Sequence, residues 1–228
     1  MQANAPEANE GEASQDGKAG TGARRSLPEE REERLHEDPE VRERITAATL
    51  AAAGELGYRQ LTVAAVLKRY GGYRLQFYRH FANIAEAYDD AHAHHVARLE
   101  REMTSAAARA ESWRAGLRAA LRELALFGNE NPALARGLLV QVHVAGGPAL
   151  ARRQEVLERL SRAVDSARRE TRSRHSPPPL TAPLMVSAIE AAVTRAVAKG
   201  EPKRFERAIP ELEQLVCCAY FGDHISEV

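Results

Sequence analysis

Residues 61–87, LTVAAVLKRYGGYRLQFYRHFANIAEA, constrain the fold more tightly than any other stretch of this chain. Val63, Val66 and Leu67 recur at i, i+3 and i+4, which puts them on one face of a helix, and Thr62 just ahead is a fitting N-cap. Gly71-Gly72 then interrupts the period. Glycine tolerates positive φ, so the backbone can reverse within a few residues before Phe77 and Phe81 resume the apolar spacing at i, i+4. Two short helices around a tight turn make a helix-turn-helix.

In that motif the first helix crosses the phosphate backbone and the second lies in the major groove with its outer face towards base edges. Here that face is expected to carry Tyr73, Arg74, Leu75, Gln76, Tyr78 and Arg79. Arginine bonds two acceptors on a guanine edge, glutamine pairs with adenine, and an apolar tip such as Leu75 meets a thymine methyl. Tyr78 and His80 suit phosphate oxygens, contacts that fix register without reading sequence. Arg42 and Thr62 complete the candidate DNA-binding set. The same two-helix pattern occurs in all-α proteins that never meet DNA, so periodicity alone leaves both readings open.

The literal string goes further. Phe77-Tyr78-Arg79-His80-Phe81 after a glycine-containing turn, preceded by Gly57-Tyr58 and Thr62-Val63, resembles the N-terminal domain of tetracycline-repressor-like (TetR family) regulators. The resemblance runs without a gap over residues 45 to about 88 and includes Ile45, Ala48, Gly57, Thr62, Val63, Gly71, Tyr78, His80 and Phe81. There are departures. The family usually has an aliphatic residue where Gly72 stands, serine or threonine at Tyr73 and lysine at Ile84, so one phosphate contact and the usual cap of the second helix are missing. Ala52 and Ala53 replace larger apolar side chains, which predicts a thinly filled small domain.

The formal net charge is zero, yet it is unevenly spread. Residues 1–40 hold five basic against eleven acidic side chains, residues 41–88 hold seven against three, and the remainder holds 20 against 18. Local charge sets phosphate affinity, so a neutral total does not exclude a nucleic-acid partner. No run approaches the ~18 to 20 apolar residues that span a bilayer, and the N-terminus lacks the basic-then-apolar layout of a secretory signal. A cytoplasmic protein without a membrane partner is expected. Cys217-Cys218 suits a reducing compartment, as two small hydrophobes or as a regulatory thiol.

Along the chain, residues 1–36 are rich in Ala, Gly, Glu, Ser and Pro and are expected to form a disordered acidic tail. Pro39 opens a helix with Val41, Ile45, Ala48, Ala52 and Leu56 on one face, closed by Gly57; it would pack across the helix-turn-helix pair. A long helix from about Asn83 to near Ser105 carries Ile84, Tyr88, Ala91, His95 and Leu99 on one stripe. Asp89, Asp90, His92, His94 and His95 cluster on it, but spacing identifies no third ligand, and no metal or cofactor is expected. Further helices follow: one marked by Trp113, Leu117, Leu121 and Leu124, one from Asn131-Pro132 to Gly146-Gly147-Pro148, and one with Leu157, Leu160 and Val164. After the loop at Ser176-Pro177-Pro178-Pro179 come a helix over about 182–199 and a last one from near Pro210. No strand alternation or internal repeat is present.

The reading is an all-α chain: residues 37–82 a three-helix helix-turn-helix DNA-binding domain, and residues 83–228 a larger helical domain. The resemblance implies that the larger domain dimerises through its last two helices and encloses a small-molecule pocket. Candidate lining residues are His95, Leu99, Met103, Trp113, Leu117, Phe127, Gln141, His143 and Met185. Expected partners are a palindromic double-stranded DNA operator, a second copy of the chain and a small-molecule effector. The implied function is a bacterial transcriptional regulator, a repressor released by its effector. The alternative is a similar helical protein with degenerate DNA binding that acts as a ligand- or protein-binding module. No phosphate loop, nucleophile motif or zinc-protease pair supports an enzyme, and no catalytic residues are assigned.

Overall fold

Pro39 sits where a helix leaves its first N–H groups unpaired, so the missing donor of proline costs nothing, and Glu40 in the same turn complements the helix dipole. The helix that follows, α1 (Pro39–Leu56), is the first element of a computed structural model that describes residues 39–169 and 177–222. The acidic tail expected over residues 1–36 lies outside the described residues. A 3-10 turn (Tyr58–Gln60) leads into α2 (Val63–Tyr70), α3 (Arg74–His80) and the long α4 (Ile84–Ala108). Then come α5 (Trp113–Glu130), α6 (Pro132–Leu139), the short α7 (Val142–Ala145) and α8 (Gly147–Asp165) with a 3-10 extension (Ser166–Arg169). The last two are α9 (Thr181–Ala198) and α10 (Pro202–Phe221). The protein is all-α, as the periodicities predict, with no strand among the described residues.

The N-terminal helices enclose a filled core. Ile45, Leu61, Val66, Phe77 and Phe81 are buried, with the Phe77 and Phe81 rings 5.6 Å apart. The small side chains of residues 51–54 do not leave this core thin. They are buried because α1 packs more extensively against α6 than against α2. Gly54 and Gly137 lie at this crossing. A Cβ built on Gly54 would stand 1.9 Å from the Ala133 carbonyl oxygen, and one on Gly137 2.0 Å from the Leu50 carbonyl oxygen. Only glycine lets the two backbones come this close.

Three boundaries differ from the expectation. The helix expected to run from Pro132 to Gly146 breaks at Val140-Gln141, leaving α7 as a separate turn, and Gly147-Pro148 opens α8 rather than only ending what precedes it. The last helix begins at Pro202 and carries Pro210 inside it. Pro210 is exposed, while Phe205, Ile209, Val216 and Tyr220 keep a continuous buried stripe that holds the helix together.

Among the described residues one helix, α9, is long and apolar enough by length and composition to cross a membrane, contrary to the expectation that no run approaches this. Its composition has a local cause. One face (Val186, Ile189, Val193, Val197) is buried and the opposite face (Leu184, Ala188, Ala191) is exposed yet equally apolar.

Candidate nucleic-acid interface and ligand cavity

The helix-turn-helix is built as the sequence demands. Thr62 Oγ1 accepts from the Ala65 N–H at 3.2 Å and caps α2, and Gly71 ends it with φ 79°, the left-handed conformation glycine tolerates. Tyr73 has no capping hydroxyl within reach of its own backbone. The start of α3 is instead stabilised from the third helical position, where Gln76 Oε1 accepts the Tyr73 N–H at 3.1 Å. Gln76 thus spends its carbonyl on the helix and keeps its amide N–H groups for another partner. Gly72 is explained as well: a Cβ there would lie 1.9 Å from the Tyr70 ring, which in turn lies under the Arg44 guanidinium at 5.1 Å.

Phe77 anchors α3 inward, and the opposite face is bare. Tyr73 is 79%, Leu75 65% and Tyr78 47% exposed, and Arg74 and Arg79 are exposed beside them. Arg74 makes no hydrogen bond or ion pair with any described residue. Arg59 and Lys68 are also on the surface. Arg42 is differently placed. It holds Asp90 of α4 through two bonds of 2.5 and 3.2 Å and lies 5.4 Å from the Phe81 ring, so it ties α1 to α4. Arg69 pairs with Glu55 at 2.5 Å. Asn83 caps α4 by accepting from Glu86 N–H at 2.9 Å, and Ile84, where the resembled family has lysine, is partly buried against the core.

The N-terminal helices are bonded directly to α6 and its neighbours. The Tyr58 N–H donates to Gln141 Oε1 at 2.9 Å, the Tyr88 hydroxyl donates to the Gly137 carbonyl at 2.9 Å, and the Tyr58 and Tyr88 rings meet edge-on at 4.8 Å. Gln141, a candidate pocket residue by sequence, therefore serves this junction.

Behind α6 lies a cavity of ≈ 740 Å³, within the range that holds a drug-sized molecule. Leu99, Met103, Trp113 and Leu117 line it as expected; His95, Phe127, Gln141, His143 and Met185 are not among its lining residues. Polar residues that sequence reasoning left out of the pocket also line it, among them His92, Arg153 and Glu190. His92 was visible in principle, since it precedes Val96, Leu99 and Met103 on the helical stripe, whereas His95 falls at the stripe's edge. Arg153 and Glu190 come from α8 and α9, paired at 2.8 Å, and no spacing relates them.

His92 and His95 are buried as neutral rings. Burial, reinforced by Arg152 and Arg153, pushes the His92 pKa down to about 4; burial, reinforced by His94 and Arg98, does the same to His95. No group of three or more His, Cys, Asp or Glu able to hold a metal ion occurs among the described residues. On the far side of α5, Glu213 of α10 is buried and receives Arg118 at 2.5 and 2.7 Å and Arg114 at 2.5 Å. These bonds, Arg118 foremost, hold its carboxyl below the usual range despite burial. Cys217 is buried and Cys218 partly so, and neither is bridged.

No protein-family model matches the sequence, and no curated protein is detectably similar to it. Solved structures are similar in shape. The fatty acid degradation regulator FadR from Bacillus halodurans superposes with a TM-score of 0.67 at 16% identity, over 76% of this chain and 96% of its own. A TetR-family transcriptional regulator from Pectobacterium atrosepticum does so at 0.61 and 17% identity, over 86% of this chain and 98% of its own. TylP, a TetR regulator from Streptomyces fradiae, does so at 0.57 and 19% identity, over 79% and 86%. Over most of its length this chain has the fold of the TetR-family transcriptional regulators.

Proposed function

We propose that the protein is a ligand-responsive transcriptional regulator that binds a double-stranded DNA operator as a homodimer, represses from it, and is released by a small molecule held in the cavity. It acts in the cytoplasm and catalyses no reaction. The observation that carries this reading is the uncovered face of α3, where Tyr73, Arg74, Leu75 and Tyr78 project from a helix anchored by Phe77. A short helix that exposes aromatic, aliphatic and guanidinium groups together has the chemistry of base-edge contact. The basic side chains at Arg59, Lys68 and Arg79 supply phosphate contacts around it.

Dimerisation is supported by the exposed apolar face of α9, with Leu184, Ala188 and Ala191, and by the exposed Leu215 of α10. A two-fold pair offers two α3 helices to the same side of a duplex, so the operator is a palindrome with half-sites about 34–36 Å apart, or a little more. The effector acts through α6, which contributes Leu138 and Leu139 to the cavity and Gly137 to the crossing with α1. A ligand shifts the equilibrium only by preferring the dimer with wrongly spaced α3 helices.

The second reading, a ligand- or protein-binding module with lost operator recognition, draws on the ion pairs of Arg42 and Arg69 and on Ile84, which leave fewer cations for phosphate. A mobility shift against DNA upstream of the gene, with salt titrated, separates the two. A regulator loses affinity with a log-log slope of about −0.9 per neutralised phosphate. Arg74→Ala should weaken specific binding about 10- to 100-fold, the worth of one good base contact, and leave non-specific binding nearly unchanged. Equal loss on specific and random duplexes would sink the base-reading role of α3.

A further inference from the structure

The cavity has two unlike ends. Its wall on α4 runs from His92 through Val96, Leu99 and Met103 to Ala108, a rise of about 24 Å at 1.5 Å per residue. The α8 helix runs in the same direction as α4, tied by Arg152 Nη1 to the Asp89 carbonyl at 3.3 Å and by Arg159 to Glu100 at 2.7 and 2.8 Å. Arg153 therefore stands level with His92, and its pair with Glu190 closes the inner end. At the other end Thr104, Ala108, Arg162 and Arg169 line the cavity and are exposed to solvent, which makes this the mouth.

The inner end is uncharged overall but not apolar. His92 is 1% exposed, belongs to the wall, bonds no described residue, and has its Nδ1 wholly enclosed. Nδ1 is closed off from the cavity as well, so a ligand meets the ring through Nε2, which is not among the enclosed unpartnered atoms. The ring is neutral at neutral pH, so it offers one donor and one acceptor. A carboxylate driven there would meet Glu190, already matched by Arg153, while Arg152, whose charge reaches His92, does not line the cavity and is engaged by the Asp89 carbonyl. A hydroxyl or carbonyl meets no such penalty. At the mouth the balance is reversed: among the described residues Glu100 is taken up by Arg159 and Asp165 by Arg168, and Arg162 and Arg169 leave the rim positive.

We propose that the cavity takes an elongated amphiphile with an anionic head beside Arg162 and Arg169, an unbranched apolar body along α4, and a neutral hydroxyl or carbonyl at its far end bonded to His92. This rests on the reading of the cavity as the effector site. Trp113, the single tryptophan of the chain, lines the cavity and reports occupancy by its fluorescence. The test titrates full-length protein with hexadecanoate and with 16-hydroxyhexadecanoate at monomeric concentrations. The hydroxy acid should bind about tenfold tighter. That advantage should vanish in His92→Leu, persist in His92→Gln, which keeps a hydrogen-bonding group, and both acids should weaken together in Arg162→Gln/Arg169→Gln. Equal affinities in the unmodified protein, an advantage that survives His92→Leu, or binding of neither acid overturns the proposal. An operator mobility shift run in parallel keeps the two readings apart. Discrimination by His92 without any change in operator binding upholds the ligand class and sinks the effector role; release from the operator by both acids alike does the reverse.

Discussion

Gly137→Ala is the sharpest test of how the N-terminal helices are held to the rest of the fold. The new Cβ would lie 2.0 Å from the Leu50 carbonyl oxygen, 2.7 Å from its carbon and 3.0 Å from its Cα. Ordinary contacts need about 3.5 Å, so α1 and α6 must part by roughly 1 Å or more, and the obstacle is backbone that cannot rotate aside. Alanine gains about 1 kcal/mol of helix propensity over glycine. Against this stand about 1–3 kcal/mol or more for overpacking and about 1 kcal/mol for disturbing the Tyr88 bond to the Gly137 carbonyl. The net is a loss of about 1–3 kcal/mol, which in a chain of this size lowers Tm by about 3–10 °C. Gly128→Ala is the internal control. It is also helical, but its nearest neighbours would be Pro202 Cβ at 3.7 Å and Val197 Cγ2 at 3.8 Å, ordinary contacts, so propensity wins and Tm should hold or rise slightly. Thermal unfolding of the three proteins decides the matter. If both alanines shift Tm in the same direction by similar amounts, the close crossing does not set the stability of this interface.

The other predictions concern charge and assembly. His92 and His95 have folded pKa values near 4 against 6.5 when exposed, so the unfolded chain takes up protons that the fold refuses. Their contribution is complete above pH 6.5 and is lost as pH falls towards 4, at up to about 1.4 kcal/mol per pH unit for each; urea midpoints at pH 7.5 and 5.0 should converge in His92→Gln/His95→Gln, and an unchanged acid slope would refute the assignment. Removing both partners of Glu213 with Arg114→Ala/Arg118→Ala should destabilise the fold by about 3 kcal/mol, because it strands a buried carboxylate. Glu213→Gln should cost less, since both arginines reach solvent; the reverse order by urea denaturation would contradict this. Leu184→Glu with Leu215→Glu should convert a dimer into a monomer in sedimentation, and a parent that is already monomeric at micromolar concentration would remove the two-fold operator argument.

The helix-turn-helix was legible because its determinants are local. Thr62 caps α2, Gly71 supplies the left-handed residue, and Phe77 and Phe81 turn inward, each within a few residues of the group it acts on. The cap of α3 was less so: Tyr73 looks like a defect until Gln76 is seen to supply the bond from inside the helix. The pocket divided along the same line. Leu99 and Met103 follow from the period of α4, and Trp113 and Leu117 from that of α5, but Gln141 and His143, assigned by their mixed polarity, lie elsewhere, the first bonded to Tyr58 and the second exposed.

What the chain dictates alone is the set of helices, where they start and stop, and which side of each is apolar, because capping, φ preference and a 3.6-residue period act over one or two turns. What the apolar sides meet is settled only in three dimensions. Ala52 and Ala53 read as a poorly filled head, yet with Gly54 they admit α6 to within touching distance of α1; Arg42 reads as a phosphate ligand, yet Asp90 holds it; and Arg153 and Glu190 acquire a meaning only as a pair at the inner end of a cavity. These partners lie tens of residues apart, and it is the packing of whole helices, not any local preference, that brings them together.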